Sequence, residues 1–209
     1  MELCADIWEK SPALNKNKWR DLFACSNNSN NSENSGLLME IGCGKGGFIR
    51  KKAAAEPFSS FVAVEKYVEV FVTALETVSA ESLKNVKMVH GDALSALESF
   101  GDGELDGIYI NFCDPWLKHR HAHRRLTHRK YLEAYKRAVK KGGFIKFKTD
   151  NRPLFDFSVN EAIAANLETA YISYDLHNDA NITDNICTEY EKLFSEKGMS
   201  IHYLHLICI

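Results

Sequence analysis

The stretch L-L-M-E-I-G-C-G-K-G-G-F at residues 37–48 decides the fold of this 209-residue chain. Residues 37–41 are apolar apart from Glu40 and predict a buried strand. The glycines that follow predict a tight turn whose backbone can approach a ligand closely, and they are Gly42, Gly44 and Gly46. Residues 47–55 then carry helical spacing. A strand, a glycine loop and a helix in this order are typical of an α/β sheet that binds ligands at its carboxyl edge.

The same alternation of strands and helices continues along the chain. Further strands are predicted at residues 61–65, 86–90, 105–111 and 143–149. Helices are predicted between them at residues 67–80, 94–100 and 127–140. Such alternation indicates a parallel sheet covered on both faces. Beyond Asp150 the pattern predicts a helix at 153–165, a strand at 171–175, a helix at 185–197 and a strand at 201–209. We expect the last two strands to close one edge of the sheet.

Composition predicts one domain with a short extension. We interpret residues 1–25 as an N-terminal extension, residues 26–35 as a flexible Asn/Ser linker and residues 36–209 as one domain. Four residues of the extension suit contact with RNA: Lys16, Lys18, Trp19 and Arg20. We favour the alternative, in which Trp19 and Phe23 pack on the domain.

Charge is distributed unevenly along the chain. The formal net charge is -2, yet residues 118–148 hold twelve of the 26 Lys and Arg residues and one acid, Glu133. This stretch, at about +11, suits a polyanionic partner. Six scattered cysteines without a C-x-x-C pair predict free thiols in a cytoplasmic protein. No apolar run approaches the roughly 18 residues that a membrane span requires.

Acidic residues end three successive predicted strands: Glu40, Glu65 and Asp92. A carboxylate in a buried strand is costly unless a cation or a hydroxyl group meets it. Three such acids would repel a pyrophosphate, whereas they suit the positively charged S-adenosyl-L-methionine. We therefore favour this cofactor over a nicotinamide dinucleotide, although Gly42, Gly44 and Gly47 also match G-x-G-x-x-G. Asp92 can equally serve as a helix N-cap.

The stretch N-F-C-D-P-W-L-K-H-R-H-A-H-R-R at residues 111–125 joins an acidic turn to a cationic run. A carboxylate and an aromatic ring followed by Lys and Arg describe a pocket for a base within RNA or DNA. The basic side chains would bind phosphates rather than select the base. Histidines at 119, 121, 123 and 128 lack Cys or carboxylate partners at ligand spacing, so no metal site is predicted.

With these motifs, the chain from residue 37 onward closely resembles the bacterial tRNA (guanine-N7-)-methyltransferase family. F-K-T-D-N at 147–151 and T-E-Y-E at 188–191 also carry the resemblance. It implies a Rossmann-like class I methyltransferase fold, with a doubly wound, mostly parallel seven-stranded sheet and an antiparallel C-terminal strand. It further implies methylation of tRNA at guanosine N7, at position 46 of the variable loop, by a cytoplasmic monomer or homodimer.

The resemblance also implies roles for particular residues. Residues expected to bind S-adenosylmethionine are Glu40, Gly42, Gly44, Gly46, Glu65, Asp92, Ala93, Asn111 and Asp114. Asp114 is also the expected catalytic residue. Residues expected to contact the target guanosine are Lys118, Asp150, Thr188, Glu189, Tyr190 and Glu191. Residues expected to contact RNA are Arg120, His121, His123, Arg124 and Arg125.

One departure from the family and two alternative functions remain. The family usually has proline where this chain has Cys113. We expect a packed thiol there rather than a nucleophile, since guanine N7 already has an available lone pair. A D-P-W turn after the fourth strand also resembles the loop of exocyclic-amine methyltransferases. An RNA-binding domain that keeps the sheet but lacks methyl transfer is the other alternative.

Overall fold

Seven strands form one sheet in the computed structural model, which describes residues 6–26 and 36–209. The strands are β1 Leu37–Ile41, β2 Ser60–Glu65, β3 Val86–His90, β4 Leu105–Asn111, β5 Val139–Thr149, β6 Glu168–Ser173 and β7 His202–Ile207. The helices are α1 Gly47–Ala55, α2 Val68–Ala80, α3 Ala93–Glu98, α4 Arg129–Ala138, α5 Arg152–Ala164 and α6 Glu189–Ser195. The proposed linker, apart from Ser26, lies outside the described residues.

The strands are arranged in the order β3-β2-β1-β4-β5-β7-β6. Strands β1 to β5 pair in parallel, and β7 runs antiparallel to both of its neighbours, β5 and β6. The expected doubly wound, mostly parallel sheet with an antiparallel C-terminal strand is therefore confirmed. Between β1 and β4 the chain reverses its direction of winding, and ligand crevices open at such a point.

Several predicted boundaries differ from the observed ones: β5 begins at Val139 rather than at residue 143, and β6 spans Glu168–Ser173 rather than residues 171–175. Helix α4 ends at Ala138 rather than near residue 140, because Val139 already pairs with Leu105 as the first residue of β5. Helix α6 begins at Glu189 rather than near residue 185, because Thr188 caps its first turn. The residues before Thr188 are therefore not helical, and Asn185 Oδ1 and the Ile186 carbonyl accept hydrogen bonds from Lys148 on β5.

The described part of the N-terminal extension packs against the sheet domain. The Trp19 ring is fully buried and stacks on Phe100, with ring centroids 4.5 Å apart. Its Nε1 donates a hydrogen bond to the Ser99 carbonyl at 2.8 Å. The expected packing of Trp19 and Phe23 is confirmed, since both side chains are buried. No helix in the described ranges is long and apolar enough to cross a membrane.

Candidate active site

A cavity of about 900 Å³ opens where β1, β2 and β4 end. This volume suits a ligand of nucleoside size. Residues of the expected site that line it are Glu40, Gly42, Gly44, Glu65, Asp92, Ala93, Asn111, Asp114, Arg124, Thr188, Glu189 and Tyr190. All four acids expected to bind the cofactor thus face one cavity, although they come from four different strand ends.

Glu40 places a buried carboxyl group at the inner end of the cavity. The Asn111 side-chain amide donates a hydrogen bond to its Oε1 at 3.0 Å. Its Oε2 is buried and has no hydrogen-bond partner among the described residues. Burial raises the pKa of Glu40 to about 8, against the opposing effects of Asn111 and of the positive charge on Lys148. A cation that entered the cavity would supply the missing partner and favour the ionised form.

Glu65 joins the glycine loop to the end of β2. Its Oε2 accepts a hydrogen bond from the backbone N–H of Gly44 at 3.1 Å. Its Oε1 accepts from the backbone N–H groups of Lys66 at 2.8 Å and Tyr67 at 3.0 Å. The carboxylate is therefore fixed in orientation, while Oε2, which accepts only one hydrogen bond, keeps capacity for a further donor such as a ribose hydroxyl.

The glycines of the loop have different surroundings. At Gly44, where φ is +56°, a Cβ atom would meet nothing within 4 Å, so the loop leaves open space in front of its backbone. At Gly46, where φ is +81°, a Cβ atom would lie 2.9 Å from Cγ2 of Val78 on α2. Gly46 is also absent from the cavity lining. The geometry therefore assigns Gly46 to helix packing, although it was expected to bind the cofactor.

Asp92 is the N-cap of α3 and also lines the cavity. Its Oδ1 accepts hydrogen bonds from the backbone N–H groups of Leu94 and Ser95, which makes it the N-cap of α3. The Ser95 hydroxyl donates to Oδ2 at 2.7 Å. These bonds, that of the Ser95 hydroxyl above all, lower the pKa of Asp92, against a smaller opposing effect of burial. The residue is exposed and lines the cavity beside Ala93.

Arg125 supports the D-P-W turn by hydrogen bonds to its backbone. The guanidinium donates hydrogen bonds from Nε to the Pro115 carbonyl at 2.9 Å and from Nη2 to the Trp116 carbonyl at 3.1 Å. It also lies 4.4 Å from the centroid of the Phe157 ring. Trp116 has a φ of +43°, a conformation that costs free energy in a non-glycine residue and requires such support. Arg125, expected to contact RNA, instead supports the turn that carries Asp114.

Asp114 is the exposed carboxylate of this turn. It lines the cavity, and its side chain forms no hydrogen bond or ion pair with any residue in the described ranges. Its neighbour Cys113 packs against the core beside Leu126. Loss of hydration raises the pKa of the Cys113 thiol to about 12, and the negative charge of Asp114 adds to this effect. A protonated thiol is a poor nucleophile, which agrees with the expected packing role.

Much of the positive charge of residues 118–148 is neutralised by distant acids. Ion pairs join Arg129 to Glu161, Arg137 to Asp102, Lys140 to Asp106, Lys146 to Asp184 and Lys148 to Glu191. Lys118, Arg120 and His123 are exposed outside the cavity and form no ion pair with described residues. The Arg124 guanidinium lies 5.0 Å from the Trp116 ring centroid, and His121 meets the same ring edge-on. Within the basic stretch, Lys118, Arg120 and Arg124 are thus exposed without an ion pair to any described residue, as are Lys130 and Lys141 further along the chain.

The residues expected to contact guanosine are only partly brought together. Thr188, Glu189 and Tyr190 line the cavity, and the Glu189 carboxyl group lies beside Gly47 at the start of α1. Lys118 and Asp150 lie outside its lining. Glu191 is fully buried and forms an ion pair with Lys148, so its carboxylate does not face the cavity. Sequence reasoning assigned no role to Lys148, although a lysine between the apolar residues of a predicted buried strand is a signal of a buried partner.

The described residues contain neither a disulfide nor a metal-binding cluster. The four cysteines whose side chains are described, Cys43, Cys113, Cys187 and Cys208, are unpaired. Within residues 6–26 and 36–209, no group of three or more His, Cys, Asp or Glu side chains is arranged to hold a metal ion.

Comparison with solved structures agrees with the fold. The aminoglycoside resistance methyltransferase NpmB1 superposes with a TM-score of 0.59 at 18% identity, covering 85% of this chain and 89% of that one. A SAM-dependent methyltransferase from Aquifex aeolicus gives a TM-score of 0.58 at 13% identity, covering 83% and 82%. At such low identity, these likenesses concern the fold alone.

Comparison of sequences is more specific. A family model described as "Putative methyltransferase" matches residues 34–204. The tRNA (guanine-N(7)-)-methyltransferase of Bacillus subtilis is 40% identical over 198 residues, covering 95% of this chain and 89% of that protein. The enzyme of the same name from Brevibacillus brevis is 37% identical over 199 residues, with the same coverage. This chain therefore belongs to the tRNA (guanine-N(7)-)-methyltransferase family.

Proposed function

We propose that this protein transfers a methyl group from S-adenosylmethionine to N7 of a tRNA guanosine, at position 46 of the variable loop. The observation that carries the proposal is the cavity that Glu40, Glu65, Asp92 and Asp114 share. The unpaired basic residues 118–124 follow directly after the turn that bears Asp114. The relatives' names support the reaction, and these features supply a place for a cationic cofactor beside an RNA.

The cavity residues fit S-adenosylmethionine, which when bound supplies a methyl group on a positively charged sulfur. The partnerless Oε2 of Glu40 would accept from the ammonium of its methionine part, with Asn111 holding the carboxylate in place. Glu65, oriented by three backbone N–H groups, would accept from one ribose hydroxyl through Oε2. Asp92 and Ala93 would contact the adenine at the end of β3.

Asp114 would act by position and charge. Guanine N7 has a lone pair in the plane of the base, so it would bond to the methyl carbon as the carbon–sulfur bond breaks and leaves a neutral thioether, and no proton needs to be removed first. Positive charge then moves onto the imidazole part of the guanine ring. A carboxylate near this ring stabilises the arriving charge, and fixed alignment of the reactants lowers the barrier further. Asp114 is accordingly a catalytic residue without being a general base.

The cavity wall formed by Thr188, Glu189 and Tyr190 would recognise guanine. Guanine offers N1–H and an exocyclic amine as donors, and a buried Glu191 cannot accept from them. Glu189 is exposed within the cavity lining, so we propose it as their acceptor, with Thr188 and Tyr190 beside it. Lys118 and Asp150 would contact the nucleotide further out. Arg120, His121, His123 and Arg124 would bind phosphates, which positions the RNA without selecting its sequence.

The experiment is methylation of a tRNA transcript with radiolabelled cofactor, followed by nucleoside analysis. We expect 7-methylguanosine, chain cleavage at position 46 after borohydride and aniline treatment, and no product from a transcript with adenosine at that position. Label on an exocyclic amine would favour the alternative transferase. If tRNA binds while S-adenosylmethionine does not, the protein is an RNA-binding domain without transfer.

A further inference from the structure

Lys148, near the end of β5, holds a buried positive charge that the proposed reaction does not use. Its side chain is only 6% exposed. The ammonium donates hydrogen bonds to Glu191 Oε2 at 2.6 Å, to Asn185 Oδ1 at 3.0 Å and to the Ile186 carbonyl at 3.0 Å. An ammonium group has three protons, and all three have partners here. The group is therefore fixed in position and charged, although burial lowers the pKa of Lys148.

Glu191, the partner of Lys148, controls the start of α6. The Thr188 hydroxyl accepts from the Glu191 backbone N–H at 2.9 Å, and the Thr188 backbone N–H donates to Glu191 Oε2 at 3.4 Å. The other carboxylate oxygen, Oε1, accepts from the Asn185 side chain and contacts Nε2 of His177 at 3.2 Å. One buried carboxylate thus joins the helix cap to strand β5.

The backbone of Lys148 also contacts Phe112, a residue that lines the cavity. Its carbonyl accepts a hydrogen bond from the backbone N–H of Phe112 at 2.9 Å. The Phe112 ring stacks near Tyr190, the second residue of α6, with centroids 6.4 Å apart and an interplanar angle of 26°. Both rings line the cavity, whereas Lys148 does not. Lys148 therefore contacts Phe112 through its backbone and Glu191, the residue after Tyr190, through its ammonium group, without itself lining the cavity.

We propose that Lys148 is a positioning residue, which through Glu191 holds α6 so that Thr188, Glu189 and Tyr190 form the guanosine side of the cavity. This inference rests on the proposed function. It assigns Glu191 to the support of the wall rather than to contact with the base. Removing one partner of a buried ion pair leaves the other charge uncompensated. Without Lys148, α6 moves until the Glu191 carboxylate reaches water, and Tyr190 moves with it.

The test compares Lys148→Met with a matched control, Lys146→Met. Lys146 lies two residues earlier on β5 and pairs with exposed Asp184, away from the large cavity. We expect Lys148→Met to raise the KM for tRNA at least tenfold, while the Kd for S-adenosylhomocysteine changes less, since the Lys148 charge acts on the cofactor site only through the pKa of Glu40. Hydrogen exchange should become faster in residues 185–195. Lys146→Met should leave all three quantities within twofold of wild type, and Lys148→Arg should recover part of the lost affinity.

A purely structural role would give a different result. It predicts a lower melting temperature with an unchanged KM in the folded fraction, and that outcome would overturn the proposal. If Lys148→Met does not fold, Asn185→Ala serves instead, because it removes a hydrogen bond from each ionic partner and leaves no unpaired charge. It should raise the KM at least threefold, and an unchanged KM refutes the inference. Absence of 7-methylguanosine with wild-type protein would instead refute the proposed function, while the hydrogen-exchange comparison still tests the support of α6.

Discussion

The Asn111 side chain donates a hydrogen bond to one oxygen of Glu40 at 3.0 Å, and the other carboxyl oxygen has no partner in the part of the chain that the structure describes. Burial raises the pKa of Glu40 to about 8, so without a neighbouring cation this carboxyl group is mostly protonated at pH 7. A bound ammonium favours the carboxylate instead. Cofactor binding must therefore be linked to release of a proton.

This linkage predicts that cofactor affinity rises with pH. Below the pKa of Glu40 the proton competes with the cation, so affinity should increase between pH 6 and 8, by up to about tenfold per unit. Calorimetry in buffers of different ionisation enthalpy should detect close to one proton released at pH 7 from this residue. Glu40→Gln should release no such proton and should bind the cofactor weakly. Glu168→Gln, on the exposed edge strand, should match wild type in both quantities. Equal proton release by Glu40→Gln and wild type would contradict the assignment.

The cofactor half of the site was largely predictable from sequence. Strand ends in a parallel sheet lie on one edge, so Glu40, Glu65 and Asp92 could be brought together from their positions alone. The charge of residues 118–148 could not be interpreted in the same way. Arg129 and Arg137 find their acids at Glu161 and Asp102, which only the tertiary fold brings near.

Side-chain direction set the other limit. Successive residues of a helix point about 100° apart, so Tyr190 can line the cavity while Glu191 is buried against β5. The sequence motif alone does not show which of these two side chains lines the cavity. Arg124 and Arg125 differ for a related reason, since one lies over the Trp116 ring and the other lies behind the turn.

Gly46 and Gly44 have different surroundings, so substitution of the first should mainly affect stability and substitution of the second should mainly affect cofactor binding. Gly46→Ala should destabilise the protein by about 2 kcal/mol, because the new Cβ would meet Val78 and the residue would keep a positive φ. That corresponds to a fall of roughly 4–8 °C in melting temperature for a chain of this size. Its cofactor Kd should stay within threefold. Gly44→Ala also keeps a positive φ, but it meets no atom and instead fills the open space of the cavity, so its main effect should be to weaken cofactor binding at least tenfold.

A double variant provides the control for Gly46. Val78→Ala removes the contacted methyl group, so Gly46→Ala combined with Val78→Ala should lose less stability than the sum of the single variants. The cost of the positive φ remains in both. Strict additivity of the two changes in unfolding free energy, or loss of cofactor binding in folded Gly46→Ala, would show that Gly46 does not act by packing against α2.

Asp114→Asn should separate catalysis from binding. The amide keeps the size of the exposed side chain but removes the charge that stabilises the methylated base, so kcat should fall at least about 100-fold. The Kd for tRNA should stay within threefold, because the basic residues are intact. Single-turnover rates and filter binding measure the two quantities. Asp156→Asn, on the exposed face of α5, is the matched control. A tRNA affinity that falls as much as the rate would assign Asp114 to substrate binding.

Alanine variants of the neighbouring Arg124 and Arg125 should differ in the salt dependence of tRNA binding. Arg124→Ala removes an exposed charge beside the cavity, so tRNA binding should weaken and the slope of log Kd against log salt should decrease by about 1. Arg125→Ala leaves the carbonyls of Pro115 and Trp116 without their donor. The turn then loses its support, and kcat should fall at least tenfold with an unchanged salt slope.

The control for both is Arg152→Ala, which removes an exposed arginine already paired with Asp156 on α5. Its kcat and salt slope should match wild type. If Arg125→Ala reduced the salt slope as much as Arg124→Ala, with kcat preserved, Arg125 would be a phosphate contact. The two hydrogen bonds to the turn would then have no part in holding Asp114. The opposite result, a lower kcat at saturating tRNA, follows only if the position of Asp114 depends on the guanidinium behind it.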